Sequence, residues 1–222
     1  MENKLPFKET VSEAIEIGLK NILSLIAVTI LYVVTIWIPY LNVGTTIAVK
    51  SIPAELAKGH IIDPLFIFNG KYRKNIGEFF ILVGLEFMAL IPAFILGFIP
   101  AIVMGIAWSL AILLFVDKDM KALDALRKSN ELTYGYKWRI FWLTFLFVLC
   151  LQIVSGIVAW IFNSLGLEGL AACLSVIIGI LFVPFGLGLD AVIYRNLSAE
   201  EAPKAEEPKT EEIIINEVKI EE

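Results

Sequence analysis

Two ionisable side chains, Lys50 and Glu86, fall well inside apolar sequence. At 1.5 Å per helical residue, Lys50 lies about 12 Å from the nearer end of its segment and Glu86 about 15 Å into the next. Opposite charges at one depth in a low-dielectric surrounding pair or line a polar cavity, because a lone ion there costs about 3 kcal/mol or more. The competing reading has Lys50 reaching back to the headgroups and Glu86 neutral or bonded to a neighbouring helix. Asp190 stands one turn before Tyr194 and Arg195, after a stretch loosened by Pro184, Gly186 and Gly188. Asp190 and Arg195 are helix-end charges, and Asp190 is placed to hold a basic residue on an incoming helix. Ala101, Gly105 and Ser109 recur every four residues, a small-residue stripe along which another helix can approach closely, within the chain or in a second copy.

A third group is basic and aromatic. Lys71, Tyr72, Arg73 and Lys74 form one run and Tyr136, Lys137, Trp138 and Arg139 another. Both suit a lipid headgroup layer, where each basic residue near an anionic surface contributes about 1 kcal/mol. Chemistry of the catalytic kind is not written into the chain. It holds no P-loop, GxSxG elbow, HExxH or paired-cysteine motif. His60, the only histidine, has Asp63 nearby and no further ligands, so neither a metal nor a cofactor is expected. Pro53-Ala-Glu55-Leu-Ala-Lys58 fits the P-x-[DE]-x-x-[KR] pattern that mitochondrial carriers repeat three times to close a charge network; here it occurs once. Cys150 and Cys173 lie in apolar runs about 12 Å apart in depth, too far to bridge.

These residues are carried by unusually apolar sequence. Of 222 residues, 58% are hydrophobic and 18% charged, with a mean hydropathy of +0.80, which excludes an ordinary soluble domain. The net charge of −5 is local: nine Glu and three Lys fall in 196–222, leaving 1–195 at about +1. Acidic, Pro-containing 196–222 reads as a disordered cytoplasmic tail whose end, IIINEVKI, could dock as a short strand on a soluble partner.

Four stretches lack Asp, Glu, Lys and Arg altogether: Asn21–Val49, Phe87–Val116, Ile140–Leu167 and Gly169–Leu189. With about 20 apolar residues needed per crossing, they give crossings near 20–38, 76–97, 99–117, 139–162 and 170–194. Segment 41–57 is weaker, with Lys50, Pro53 and Glu55 in its second half. Charge decides it. If 41–57 returns through the membrane, every basic cluster falls on one side and the basic-free turns near 39–44, 97–100 and 163–169 on the other. The positive-inside rule then places both termini in the cytoplasm. Tyr72, Tyr134, Tyr136, Trp138 and Tyr194 fall at the cytoplasmic level, and Trp37, Tyr40 and Trp160 at the opposite interface, where Trp and Tyr are favoured.

The expected fold is therefore an all-α membrane protein, a six-transmembrane-helix bundle over 1–195. Three places share a grammar of amphipathic segment, glycine and basic-aromatic run before an outgoing helix. Thr10 and Glu13 fit a capping box leading to Gly18, Ile61–Phe68 leads to Gly70, and Asp119 caps a helix leading to Gly135. That pattern suggests three parallel helical-hairpin repeats with amphipathic cytoplasmic interfacial helices.

Three segments, ALDALRKSNELTYGYKWRIFWLTFL at 122–146, AVIYRNL at 191–197 and EAIEIGLKN at 13–21, resemble uncharacterised prokaryotic multi-pass membrane proteins related to the membrane domain of glycerophosphoryl diester phosphodiesterases. The resemblance spans about 10–197. It implies a six-helix bundle with interfacial amphipathic segments. The phosphodiesterase activity of longer members resides in a separate soluble barrel, for which this chain has neither the length nor the histidine pair. The expectation is a non-catalytic protein of the cell membrane that organises lipid or partner proteins at the cytoplasmic face. Its partners would be membrane lipids, a soluble protein at the tail and a second copy of itself, with no nucleic acid. The alternative is a small transporter or channel for an ion or small solute past Lys50 and Glu86.

Overall fold

The computed structural model describes residues 4–199. Among these the chain is helical, without strands: α1 (Phe7–Lys20), α2 (Ile22–Thr35), α3 (Leu41–Ala57), two short 3-10 turns (Pro64–Phe68 and Gly70–Arg73), α4 (Ile76–Leu96), α5 (Phe98–Trp108), α6 (Ala111–Asp117), α7 (Ala122–Thr133), α8 (Lys137–Ser164) and α9 (Glu168–Ser198). Four spans are long and apolar enough to cross a membrane: α4, α5 continued by α6, α8 and α9. The pair α1 and α2, bent by 73°, makes a fifth if counted as one.

The reason for the long helices is clearest in α8. Trp142, Leu149, Ile157 and Trp160 are 50%, 39%, 55% and 72% exposed, so apolar side chains face outward on much of its circumference. A helix apolar all round needs lipid or a protein core about it.

The first two candidate crossings are short. α2 has 14 residues and α3 has 17, or about 21 and 25 Å against a hydrocarbon core of about 30 Å. Their ends are nevertheless level. Past α3 the chain returns to the start of α2, where the Ile62 N–H donates to Asn21 Oδ1 at 3.4 Å and the Ser24 hydroxyl donates to the Ile62 carbonyl. The second pair closes in the same way: Asn75 Nδ2 donates to Asp119 Oδ1 at 2.8 Å, and the Ala122 N–H to Glu78 Oε2 at 3.4 Å.

Between α5 and α6 the helix breaks, and α7 supplies the missing partners. Ser129 donates its hydroxyl proton to the Ala107 carbonyl at 2.7 Å and accepts from the Leu110 N–H at 3.2 Å. Thr133 reaches the same carbonyl at 3.4 Å. Both side chains are fully buried. α7 therefore doubles back along α6 and α5, bringing Tyr134 to Trp138 beside Ile99 to Ile106. The base of α8 thus lies against the first half of α5.

The tightest packing joins the first and last helices. A Cβ on Gly188 would collide with the Ala14 backbone, and one on Gly18 would lie 3.1 Å from the Pro184 carbonyl oxygen. Ala14/Gly18 and Pro184/Gly188 are thus the small-residue pairs that let α1 and α9 touch backbone to backbone.

Several local expectations are corrected. Thr10 does not cap α1, which begins at Phe7; its hydroxyl bonds back to the Pro6 carbonyl at 2.8 Å. Asp119 precedes α7 with φ 49° and holds Asn75 instead of capping, because α7 starts at Ala122. The supposed repeat glycines sit in three settings: Gly18 is helical and packed, Gly70 opens a 3-10 turn, and Gly135 has φ +83°. Ile61–Phe68 forms a 3-10 turn over Pro64–Phe68, not an amphipathic helix. Helix α9 runs through Ser198, past the boundary at 195. The expected tail, 196–222, thus begins inside the helix, and its remainder from 200 lies outside the described residues.

Candidate functional site

Helices α3, α5, α6, α8 and α9 line a largely apolar, open-sided cavity of about 600 Å³, in which Lys50 and Asp190 are both exposed. α3 contributes Lys50 and Pro53, α5 contributes Ile102, Gly105 and Ile106, α8 contributes Phe141, Thr144 and Phe145, and α9 contributes Leu187 and Asp190. Phe145 and Val148 of its lining are 43% and 45% exposed. Where α5 passes α8 the space is open: no atom lies within 4 Å of where a Gly105 Cβ would stand. The stripe of Ala101, Gly105 and Ser109 therefore does not bring a second helix of this chain into close contact at Gly105. Gly105 and Ser109 instead line open space.

Lys50 is the pivot of the site. Its ammonium is near enough to Glu86 on one side and Asp190 on the other for both carboxylates to feel its charge. No salt bridge or hydrogen bond joins it to either among the described residues. The expected direct pair of Lys50 with Glu86 is thus a looser three-charge cluster, with Asp190 as the member sequence reasoning did not assign. Glu86 is half-buried on α4 and does not line the cavity; Lys50 and Asp190 do. The available signal was spacing: Asp190 is the first charge after twenty-one uncharged residues, as Lys50 ends the Asn21–Val49 run.

Asp190 does not hold an incoming helix. That contact is made by Arg195, whose guanidinium lies 2.6 Å from Glu13 of α1.

One turn beyond the cavity, the same helices are tied by charge. Lys58 pairs with Asp117, and the Tyr194 hydroxyl donates to Asp117 at 2.7 Å, joining the ends of α3, α6 and α9. Glu55 lies 3.6 Å from Lys58, 2.9 Å from His60 and 3.8 Å from Lys71. So Glu55 and Lys58, given little weight as a single motif copy, do hold an ionic network. Its partners Asp117 and Lys71 come from distant sequence. Burial alone would lower the Lys58 ammonium, but Asp117 and Glu55 outweigh it and raise its pKa.

The two basic-aromatic runs divide by exposure. Lys71, Arg73, Lys74, Trp138 and Arg139 are exposed; Tyr136 and Lys137 are half-buried. Tyr72 is a correction: it is 3% exposed and belongs to the core, not to the headgroup layer. Its ring packs 5.1 Å from that of Phe66, with the Lys71 ammonium 4.8 Å from its centroid. Burial pushes the Tyr72 phenol above its ordinary pKa. Lys137 reaches Asn130 at 3.0 Å, and the Arg139 guanidinium lies 5.9 Å from the Tyr136 ring.

No family model matches the chain, and no curated protein or solved structure is significantly similar to it.

Proposed function

We propose that this is a non-catalytic multi-pass membrane protein that gathers anionic lipid against its cytoplasmic face. In this reading the chain enters and leaves the bilayer three times from one side, as α2–α3, α4 with α5 and α6, and α8–α9. Six segments then lie in the membrane, the first pair shallow. The carrying observation is the tying together of hairpin ends. Ile62 returns to Asn21 and Ser24, Asn75 meets Asp119, and Asp117 gathers Lys58 and Tyr194. Lys71, Arg73, Lys74 and Arg139 are exposed basic side chains, of the kind that the positive-inside rule assigns to the cytoplasmic boundary. Exposed Trp138 among them matches the amphipathic belt at a membrane–water boundary.

The resemblance to the membrane proteins named above supports the same architecture. A second reading, a small transporter, draws on Lys50 and Asp190 facing a cavity.

The test is lipid retention. The full chain in nanodiscs of mixed phosphatidylcholine and phosphatidylglycerol should enrich phosphatidylglycerol around it. A variant with Lys71, Arg73, Lys74 and Arg139 replaced by Gln should lose that enrichment while still inserting. Equal enrichment by both proteins would overturn the proposal.

A further inference from the structure

Lys50 and Asp190 face one cavity with opposite charges, and neither has an ion-pair or hydrogen-bond partner among the described residues. Apart from the hydroxyls of Ser109 and Thr144, the side chains around them are apolar, with Phe141 and Phe145 among them. Charged groups in such a surrounding are costly until matched. A water-filled solute site would be lined more evenly by polar groups, whereas a site for pure hydrocarbon would exclude both charges.

We propose that this cavity binds a single zwitterionic amphiphile, its anionic group on Lys50, its ammonium on Asp190 and its hydrocarbon along α5 and α8 toward Phe145 and Val148. The charge order selects the class. Asp190 adds a demand that only a cation or strong hydrogen-bond donor meets. Phe145 and Val148, exposed apolar residues of the lining on α8, would let a chain lie along the open side, and there is free space beside Gly105. This inference rests on the membrane reading but uses none of the surface basic residues.

Native mass spectrometry of the full chain in detergent provides the test. The probes are dihexanoyl phosphatidylethanolamine, dihexanoyl phosphatidylglycerol, dodecyltrimethylammonium and free phosphoethanolamine. The zwitterionic lipid should bind once per chain, and about tenfold or more tighter than each of the other three. Lys50→Ala and Asp190→Asn should each weaken it by about tenfold or more. Gly105→Phe guards against misfolding in those variants, because it fills open space: it should abolish binding with melting unchanged. Equal binding of phosphatidylglycerol, binding of free phosphoethanolamine at the same strength, or binding untouched by Gly105→Phe would each overturn the proposal. The surface variant with Gln at positions 71, 73, 74 and 139 should still bind the lipid, which separates failure of this site from failure of the headgroup-layer reading.

Discussion

Lys58, just past the end of α3, is ion-paired with Asp117 at the end of α6, and the same carboxylate holds the Tyr194 hydroxyl of α9. Three helices that are remote in sequence therefore meet on one acid. Asp117 is mostly shielded, with 11% of its side chain exposed, while Lys58 retains 43%. Asp117→Asn keeps an acceptor for Tyr194 but removes the charge from Lys58, so it should destabilise the detergent-solubilised protein by about 1–3 kcal/mol. A double-mutant cycle with Lys58→Met should show coupling between the two positions; strictly additive losses would mean that the pair contributes nothing.

The same corner responds to alkali. The Lys58 pKa is raised in the folded protein by Asp117 and Glu55 against the pull of burial, and that of Tyr72 is raised by burial. A raised lysine pKa contributes stability present below its ordinary value and lost as pH climbs through the folded one. A raised tyrosine pKa likewise resists ionisation that the unfolded chain accepts freely. Both effects have one sign, so stability should fall above about pH 10. Tyr72→Phe should remove part of that alkaline limb while leaving the profile near neutrality flat, as followed by thermal melting across pH.

Glycine is required at 188 and not at 105. Gly188→Val would drive a side chain into the Ala14 backbone and should cost about 3 kcal/mol or more, or prevent assembly. Gly105→Ala, with open space around its new methyl, should leave melting within about 0.5 kcal/mol of wild type.

Ser129 is the acceptor and donor that mends the break between α5 and α6. Ser129→Ala leaves the Leu110 N–H and the Ala107 carbonyl short of a partner and should cost about 1–3 kcal/mol. Thr133 still reaches Ala107, so the double variant with Thr133→Val should be worse than either alone.

Orientation is open to direct measurement. In a chain with Cys150 and Cys173 replaced by Ala, Glu131→Cys should be shielded from an impermeant thiol reagent in intact cells and Ser164→Cys labelled. Both positions are exposed, whereas Ser129, on the same helix as Glu131, is buried and would be silent on either side. Labelling at 131 would reverse the assignment of faces.

The sequence carried the helices well, since long uncharged runs have few alternatives: α4, α8 and α9 fall within a few residues of the expected crossings, and α3 occupies 41–57. Depth was legible for Lys50 and Glu86, because rise per residue is fixed, but direction about the axis was not. Hence Asp190, on a helix read as ending in ordinary charges, was missed as the third member of the cluster. Amphipathic pattern showed that α1 and α7 each bury one face but not what that face meets: α1 packs on α9, and α7 folds back to serve α5. Tyr72 looked interfacial by composition, yet its ring is claimed by Phe66. Contacts between distant segments decide such cases, and no local window contains them.

The closure of Ala14 on Gly188, reinforced by Glu13 with Arg195, gives assembly an order. Helix α1 cannot find its seat until α9 has been made, since that seat is cut into α9. Synthesis of α9 then acts as a latch, so quality-control proteases would meet a nascent chain stalled short of α9 with α1 still unclasped.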